Sequence, residues 1–576
     1  MKETIIDKIP AESHQDLPES ALIFEIAAEV CWKMGGIHTV IASKAASMVQ
    51  TFGMNYFLLG PYSDEVDYTG VLEEVDPETF PEAIGKTITA LRKNSIDVHC
   101  GYWNIPGKPK VILMNIFKLV EGFEDKQHWL MEQTGVEIPL SKTIHRYINF
   151  GFQLTRFFEV LQSQHSDVPT IAHFHEYNAA YAIPIIKEQT DQLGVTLLFS
   201  THATIIGRHL AYKNDDFYQR LSSYDFEEEV TTMGVKNPNA EANARMERFI
   251  AQRCDLFLTV SEITALECTH LLGRKPELIT PNGFSTGKAT DKSREAVRSQ
   301  ILGAFKKHLP DQDIADDPMI CLTSGRFEVK NKGYDMVIRA LGQVNQQLKK
   351  AESGRQILLL MVISAPTLNY TGFRLSLETL KVKIQHRLKR LFGYSKQAVV
   401  SHRADTIWDY DPLLLEIKKA KLHNYATDQV KIMYHPDFVK AGGEVFDLDY
   451  SELIKGCDLG MFPSFYEPWG YTPLECLFSG VSAVCSDSSG LYQFALDNLP
   501  AQDNERLFVA NRRAGDDEMS VRQMAEIVLN YQDALHSNQE MPAQDKEIFH
   551  WKNLIANYRI AYGLAYEQRQ KQVQTT

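Results

Sequence analysis

The sequence predicts an α/β protein built from two doubly wound, Rossmann-like domains. Short apolar runs alternate with amphipathic helical patterns through the first half, stop at a turn-rich polar stretch, and then restart. Runs that are apolar along their whole length suit strands buried on both faces of a parallel sheet.

In the first half these runs are Ala21 to Ile26, Tyr56 to Leu59, Val111 to Asn115, Thr170 to Phe174, Thr196 to Ser200 and Leu256 to Val260. The turn Pro281-Asn282-Gly283 and a polar segment reaching about Ser299 interrupt them. Strands return at Met319 to Thr323, Ile357 to Ile363, Val430 to Tyr434, Leu459 to Phe462 and Val481 to Ser486. The expected domains are 1–285 and 286–545. One segment does not read as a sheet crossover: from about Phe373 to Phe392, apolar residues alternate with Arg and Lys, predicting a helical insertion at about 370–395. Its basic residues, Lys381, Lys383, Arg387, Lys389 and Arg390, make a solvated face, an anion site or a partner contact equally well.

A chain of 576 residues is long enough for about two to four domains with a cleft between them. Hydrophobic residues at 44% and charged residues at 23% are ordinary for a globular protein. Sixty Lys and Arg against 74 Asp and Glu give a formal charge of -14, the wrong sign for general attraction to a polyanion. Nucleic acid is therefore not an expected partner, and any bound phosphate needs a local basic pocket. No apolar run nears the ~20 residues of a membrane span, and Met1 to Ser20 is polar rather than a signal peptide, so a cytoplasmic protein without membrane contact is expected. The eight cysteines form no C-x-x-C pair and read as reduced core residues rather than zinc or redox ligands.

The most informative stretch runs from Phe462 to Cys476, Phe-Pro-Ser-Phe-Tyr-Glu-Pro-Trp-Gly-Tyr-Thr-Pro-Leu-Glu-Cys, after a buried strand and into a helix. Gly470 permits close backbone approach, and Thr472 with Pro473 suits a helix cap and first turn, leaving amides near Tyr471 and Thr472 for a phosphate. Glu467 and Glu475 form an E-x7-E pair. If helical throughout, the pair spans ~12 Å, beyond the carboxylate separations of hydrolytic enzymes. A capping Glu467 and a solvated Glu475 is the bland reading, which the surrounding Pro-Trp-Gly-Tyr-Thr-Pro disfavours.

A second candidate is Thr323 to Gly333, again after a strand. Arg326 and Lys332 can neutralise a diphosphate leaving group without a metal, although such residues are more often a loop's solvated face. A third is Lys33-Met34-Gly35-Gly36, a glycine turn after the first strand, where ligands of doubly wound sheets sit. Two histidine-bearing strand ends, His173 to Tyr177 and Ser200 to Arg208, complete the set and add His175, Glu176, His202 and Arg208.

Together, Tyr-Glu-Pro-Trp-Gly-Tyr-Thr-Pro, Thr-His-Ala-Thr, Phe-His-Glu and Lys-x-Gly-Gly-Ile resemble the animal and fungal glycogen synthases, from about Ile23 to Tyr562. The resemblance implies the GT-B glycosyltransferase fold, with an interdomain cleft and final helices, about 546–576, packing back on the first domain. It implies a retaining transfer of glucose from UDP-glucose to an α-1,4-glucan, with no metal or other cofactor. By the same resemblance Arg326 and Lys332 hold the diphosphate, with Arg208, Lys33, Gly35 and Gly36 completing the pocket. Glu467 lies beside the donor glucose and His202 near the transferred sugar. Glu475 takes the ribose, and Phe438 and Tyr450 sandwich the uracil. Trp469, Gly470, Tyr471 and Thr472 belong to the nucleotide-sugar site, and His175, Glu176 and Asn282 to an acceptor or sugar pocket. A homotetramer is implied through the Phe373 to Phe392 region.

The sequence departs from the family in one respect. Ahead of His550-Trp551-Lys552, the stretch Ala525 to Phe549 has no arginine and only Lys546 as a fixed positive charge. The family's arginine-rich regulatory helix is thus missing its cluster, and insensitivity to glucose 6-phosphate is expected. Competing readings are a related glucosyltransferase using ADP-glucose or another acceptor, and a nucleotide-sugar or glucan-binding protein without turnover.

Overall fold

The computed structural model of the chain describes residues 17–189, 193–285, 292–310, 312–364, 399–401, 411–499, 506–531, 541 and 543–575. The chain divides into two compact units: one runs to Ser285 and takes in Gln493–Asn498 and the segment from Ala543, and the other holds the rest.

The first unit is built on a nine-stranded sheet of β1 Leu22–Ala27, β2 Tyr56–Tyr62, β3 Leu72–Glu74, β4 Val98–Trp103, β5 Lys110–Asn115, β6 Thr170–His175, β7 Val195–Thr201, β8 Leu256–Thr259 and β9 Leu278–Ile279. Its strand order is β3-β4-β5-β2-β1-β6-β7-β8-β9. All neighbours pair in parallel except β3 with β4 and β4 with β5, so an antiparallel edge extends the doubly wound sheet. The order reverses between β1 and β6, the place where ligands of open α/β sheets gather. Register sets Ala27 opposite His175 and His175 opposite Ser200, so the ends of β1, β6 and β7 lie level.

Every residue of β1 is buried, which its apolar run requires. Phe24 stacks on Phe57 with centroids 5.3 Å apart and meets Phe157 and Phe158 edge-on, from the helix Lys142–Gln164. The helix Trp551–Thr575 packs on this unit. Its Trp551 indole donates to Ser43 Oγ at 2.8 Å and lies against Gly283, where a Cβ would come 2.5 Å from the ring.

The second unit holds a six-stranded, wholly parallel sheet: β10 Met319–Arg326, β11 Ile357–Ser364, β12 Val430–His435, β13 Leu459–Phe462, β14 Ser482–Ser486 and β15 Leu507–Ala510. The order β12-β11-β10-β13-β14-β15 reverses between β10 and β13. The helix Tyr334–Lys350 covers one face with Met336, Val337, Ala340, Leu341, Val344 and Leu348, a 3.6-residue apolar stripe.

All eleven strand runs expected from the sequence are strands, while β3, β4, β9 and β15 were not anticipated. The expected insertion around Phe373 to Phe392 lies outside the described residues. All eight cysteines are buried and free of disulfides. Among the described residues no helix is long and apolar enough to cross a membrane.

Candidate active site

In the second unit, the loops after β10 and β13 flank the reversal point and are stitched to each other. Asn331 accepts from Tyr466 N at 2.9 Å through Oδ1 and from Phe465 N at 2.7 Å through its carbonyl. Arg512 donates to Pro463 O at 2.7 Å from the end of β15. Gly333, at φ +70°, lies so close to Pro463 O that a Cβ would come within 2.5 Å of it. These contacts bring Lys332 Nζ to 2.6 Å from Glu467 Oε2, with side-chain exposures of 16% and 21%. Burial alone would push the Glu467 carboxyl up; Lys332, the Ser464 hydroxyl and Arg326 outweigh it and hold the group below the usual carboxylate range. Arg326 itself is largely open, its guanidinium 3.2 Å from Glu328.

The segment between Glu467 and Glu475 is not helical throughout, as the ~12 Å estimate assumed: the helix spans only Tyr471–Phe478. Its N-cap is Gly470 at φ +117°, so Thr472 sits in the first turn rather than at the cap. Trp469 is buried, and its carbonyl accepts from Ser489 Oγ at 2.8 Å and Leu491 N at 2.9 Å. Burial raises the Glu475 carboxyl to about 7, and its Oε2 has no hydrogen-bond partner. Tyr450 opens the helix Tyr450–Lys455, its hydroxyl on Ser324 Oγ at the end of β10, while Phe438, beyond β12, is 74% exposed.

In the first unit, His175 ends β6 and His202 follows β7, with His175 Nδ1 3.2 Å from His202 Nε2. Glu176, at φ +67°, accepts from His202 N at 2.8 Å. Burial raises its carboxyl to about 7 against the pull of that amide and of Arg208, which lies on the helix Ile205–Lys213. Glu247, not anticipated, holds the same loop: it accepts from Thr201 Oγ1 at 2.8 Å and from Ile205 N at 2.9 Å. Burial, then the neighbouring Glu176, raise it to about 8. Asn282 is buried with Oδ1 unpartnered.

The Lys33 to Gly36 loop is exposed, and its Gly35 amide is occupied from within. Glu29 Oε2 accepts from Gly35 N at 2.7 Å and from His38 N at 3.0 Å, so a carboxylate takes the place expected for a phosphate. Nothing in the spacing of the motif singled out Glu29.

A glycogen synthase family model matches residues 25–399 and 381–573. The liver glycogen [starch] synthase of Rattus norvegicus is 31% identical over 581 residues, 92% of this chain and 80% of that protein. Isoform 1 of glycogen [starch] synthase from Saccharomyces cerevisiae is also 31% identical, over 88% of this chain and 80% of its own length. Among solved structures, the catalytic domain of starch synthase IV from Arabidopsis thaliana, bound to ADP and acarbose, superposes with a TM-score of 0.51 at 15% identity, covering 95% of this chain and 99% of that one. That likeness shows the shared GT-B fold. The strand-end motifs, the two sheets that carry them and the length of the match lead to one assignment: the chain belongs to the glycogen synthase family.

Proposed function

We propose that the chain transfers glucose from UDP-glucose to the non-reducing end of an α-1,4-glucan, with retention of the anomeric configuration. The observation that carries the proposal is the Lys332–Glu467 pair beside Arg326, at the reversal point of the second sheet. A cation and a carboxylate in contact suit a reaction in which negative charge grows on a leaving diphosphate while positive charge grows on the sugar.

Arg326 and Lys332 hold the diphosphate, and Lys33, Gly36 and Arg208 are assigned to the same group of donors, which Gly35 joins once its amide leaves Glu29. Glu467, kept ionised, stabilises a short-lived oxocarbenium ion that the glucan hydroxyl attacks on the face the diphosphate leaves. Glu475 accepts from the ribose hydroxyls, Phe438 and Tyr450 take the two faces of the uracil, and Gly470, Tyr471 and Thr472 offer backbone donors. His202, Glu176 and Asn282 serve the sugar and the acceptor, with His175 behind His202. No metal or other cofactor takes part. The enzyme is cytoplasmic and homotetrameric, and it is insensitive to glucose 6-phosphate.

The test is incubation of the pure protein with UDP-glucose or ADP-glucose and glycogen, with and without chelator, following nucleotide release and polymer growth. UDP release coupled to growth, unchanged by chelator and yielding new α-linkages by proton NMR, is the expected result. Nucleotide binding with no growth from either donor would overturn the proposal.

A further inference from the structure

A fully buried polar network lies behind the strand ends of the first unit. Glu25 sits in the middle of β1 with Lys44 Nζ, from the helix Gly36–Phe52, 2.5 Å from its Oε1 and the Tyr56 hydroxyl on its Oε2. His175 Nε2 is 3.0 Å from the same Oε1, and the Lys44 ammonium is 3.4 Å from that nitrogen. His173 closes one side, its Nδ1 3.1 Å from the Tyr562 hydroxyl and its Nε2 2.7 Å from Ser200 Oγ. Ligand atoms of Glu25, His173 and His175 lie within 4.8 Å of one another, as in a metal site, but the Lys44 ammonium already supplies the positive charge there.

The proton positions follow from these distances. Burial holds His173 and His175 well below the usual imidazole range and takes His202 down to about 3, so each ring is neutral and carries one N–H. A nitrogen 3.0 Å from a carboxylate oxygen is attracted to it only if it carries the proton. The alternative, Nε2 accepting from Lys44 across 3.4 Å, would set two lone pairs against each other at the shorter distance. His175 is therefore protonated on Nε2 and accepts through Nδ1. His202 must then donate from its Nε2, which leaves its Nδ1 without a proton. That atom is shielded from solvent and has no hydrogen-bond partner.

We propose that Glu25 is a positioning residue: acting through His175, it fixes His202 in the tautomer whose Nδ1 accepts a hydrogen bond from a hydroxyl of the transferred sugar. The inference rests on the placement of His202 beside that sugar in the proposed function. The opposite tautomer would present an N–H at the same point, and loss of one hydrogen bond there corresponds to a rate about tenfold lower.

The test uses the full chain with nitrogen-15 histidine, reading imidazole nitrogen shifts between about pH 6 and 9. In the wild type, His202 Nδ1 is expected in the unprotonated range and Nε2 in the protonated range throughout; a protonated Nδ1 would overturn the inference. In Glu25→Leu the acceptor is gone, so the fixed tautomer is lost and kcat falls about tenfold, with KM for UDP-glucose unchanged. Where that variant does not fold, Glu25→Leu with Lys44→Met removes the charge pair together and carries the same readouts. His202→Ala separates the two ideas. A wild-type kcat in that variant refutes the placement of His202 itself. A slow His202→Ala beside a Glu25→Leu variant that loses the tautomer yet keeps its rate refutes the role of Glu25 alone.

Discussion

Replacing Lys332 by Met removes one member of an ion pair 2.6 Å apart whose side chains keep 16% and 21% of their exposure. Two unit charges at that separation attract by about 1.6 kcal/mol in bulk water and about 6 kcal/mol at an effective dielectric of 20. Desolvation offsets much of this, and a charge-assisted contact contributes about 1.5 to 3 kcal/mol net. If the same ammonium holds the departing diphosphate, kcat for UDP-glucose and glycogen falls about ten- to hundredfold. The pH profile carries the sharper expectation. The Glu467 carboxyl is held below its ordinary range against burial, so its ionised form favours the fold above the unfolded pKa, and that contribution fades as pH falls. Without Lys332, burial is opposed only by Ser464 and Arg326, and the carboxyl moves up. The acid limb of kcat/KM should therefore shift to higher pH in Lys332→Met, while Glu467→Gln should abolish transfer with UDP binding largely kept. An acid limb that stays where the wild type has it would show that this pair does not govern the reaction.

Glu475, raised to about 7 by burial, favours the fold below its unfolded pKa and loses that contribution as pH rises through about 7; the wild type should melt higher near pH 5 than near pH 8, and Glu475→Gln should reduce the difference. Gly333→Ala forces a side chain into a left-handed backbone and against Pro463 O, at a cost of about 1 to 3 kcal/mol seen as a lower melting temperature and a slower rate. Lys44→Met alone strands the buried Glu25 charge and should cost about 3 to 5 kcal/mol, most of which Glu25→Gln in the same chain restores. Millimolar glucose 6-phosphate should leave the rate unchanged, and a several-fold rise would refute the reading of the arginine-poor stretch before Trp551.

The central strands were legible because they are apolar without interruption: β11, Ile-Leu-Leu-Leu-Met-Val-Ile-Ser, admits no other reading between its flanking turns. The missed strands carry weaker signals. β4, Val-His-Cys-Gly-Tyr-Trp, is broken by His and Gly near an antiparallel edge, β9 has two residues, and β3 has three. Missing β15 also hid Arg512, which joins the two loops of the second unit from a distant part of the chain. The motif residues were readable because each follows a strand, and the end of a strand beside the reversal point is where a doubly wound sheet places its ligands. Glu29, Glu25, Lys44 and Glu247 were not readable: a carboxylate six residues before a glycine, or a glutamate inside an apolar strand, becomes meaningful only when the contacts are known.

The chemistry of the unsatisfied atoms narrows what the sites accept. Asn282 Oδ1, His202 Nδ1 and, when its carboxyl is ionised, Glu475 Oε2 are buried acceptors without partners, each costing about 1 to 3 kcal/mol if left so. All three belong to residues that the sequence motifs single out. A fully ionised phosphate cannot satisfy them, because it offers only acceptors to acceptors. A ligand rich in hydroxyl groups can, since each hydroxyl donates once, and a sugar or a ribose has several to give. The cations Arg326 and Lys332 present the opposite preference in the second unit, where an anion is wanted. Within that unit Glu475 lies on the helix after β13 and the two cations lie at and beyond the end of β10, so a molecule with both an anionic group and hydroxyls, as a nucleotide sugar has, meets both demands.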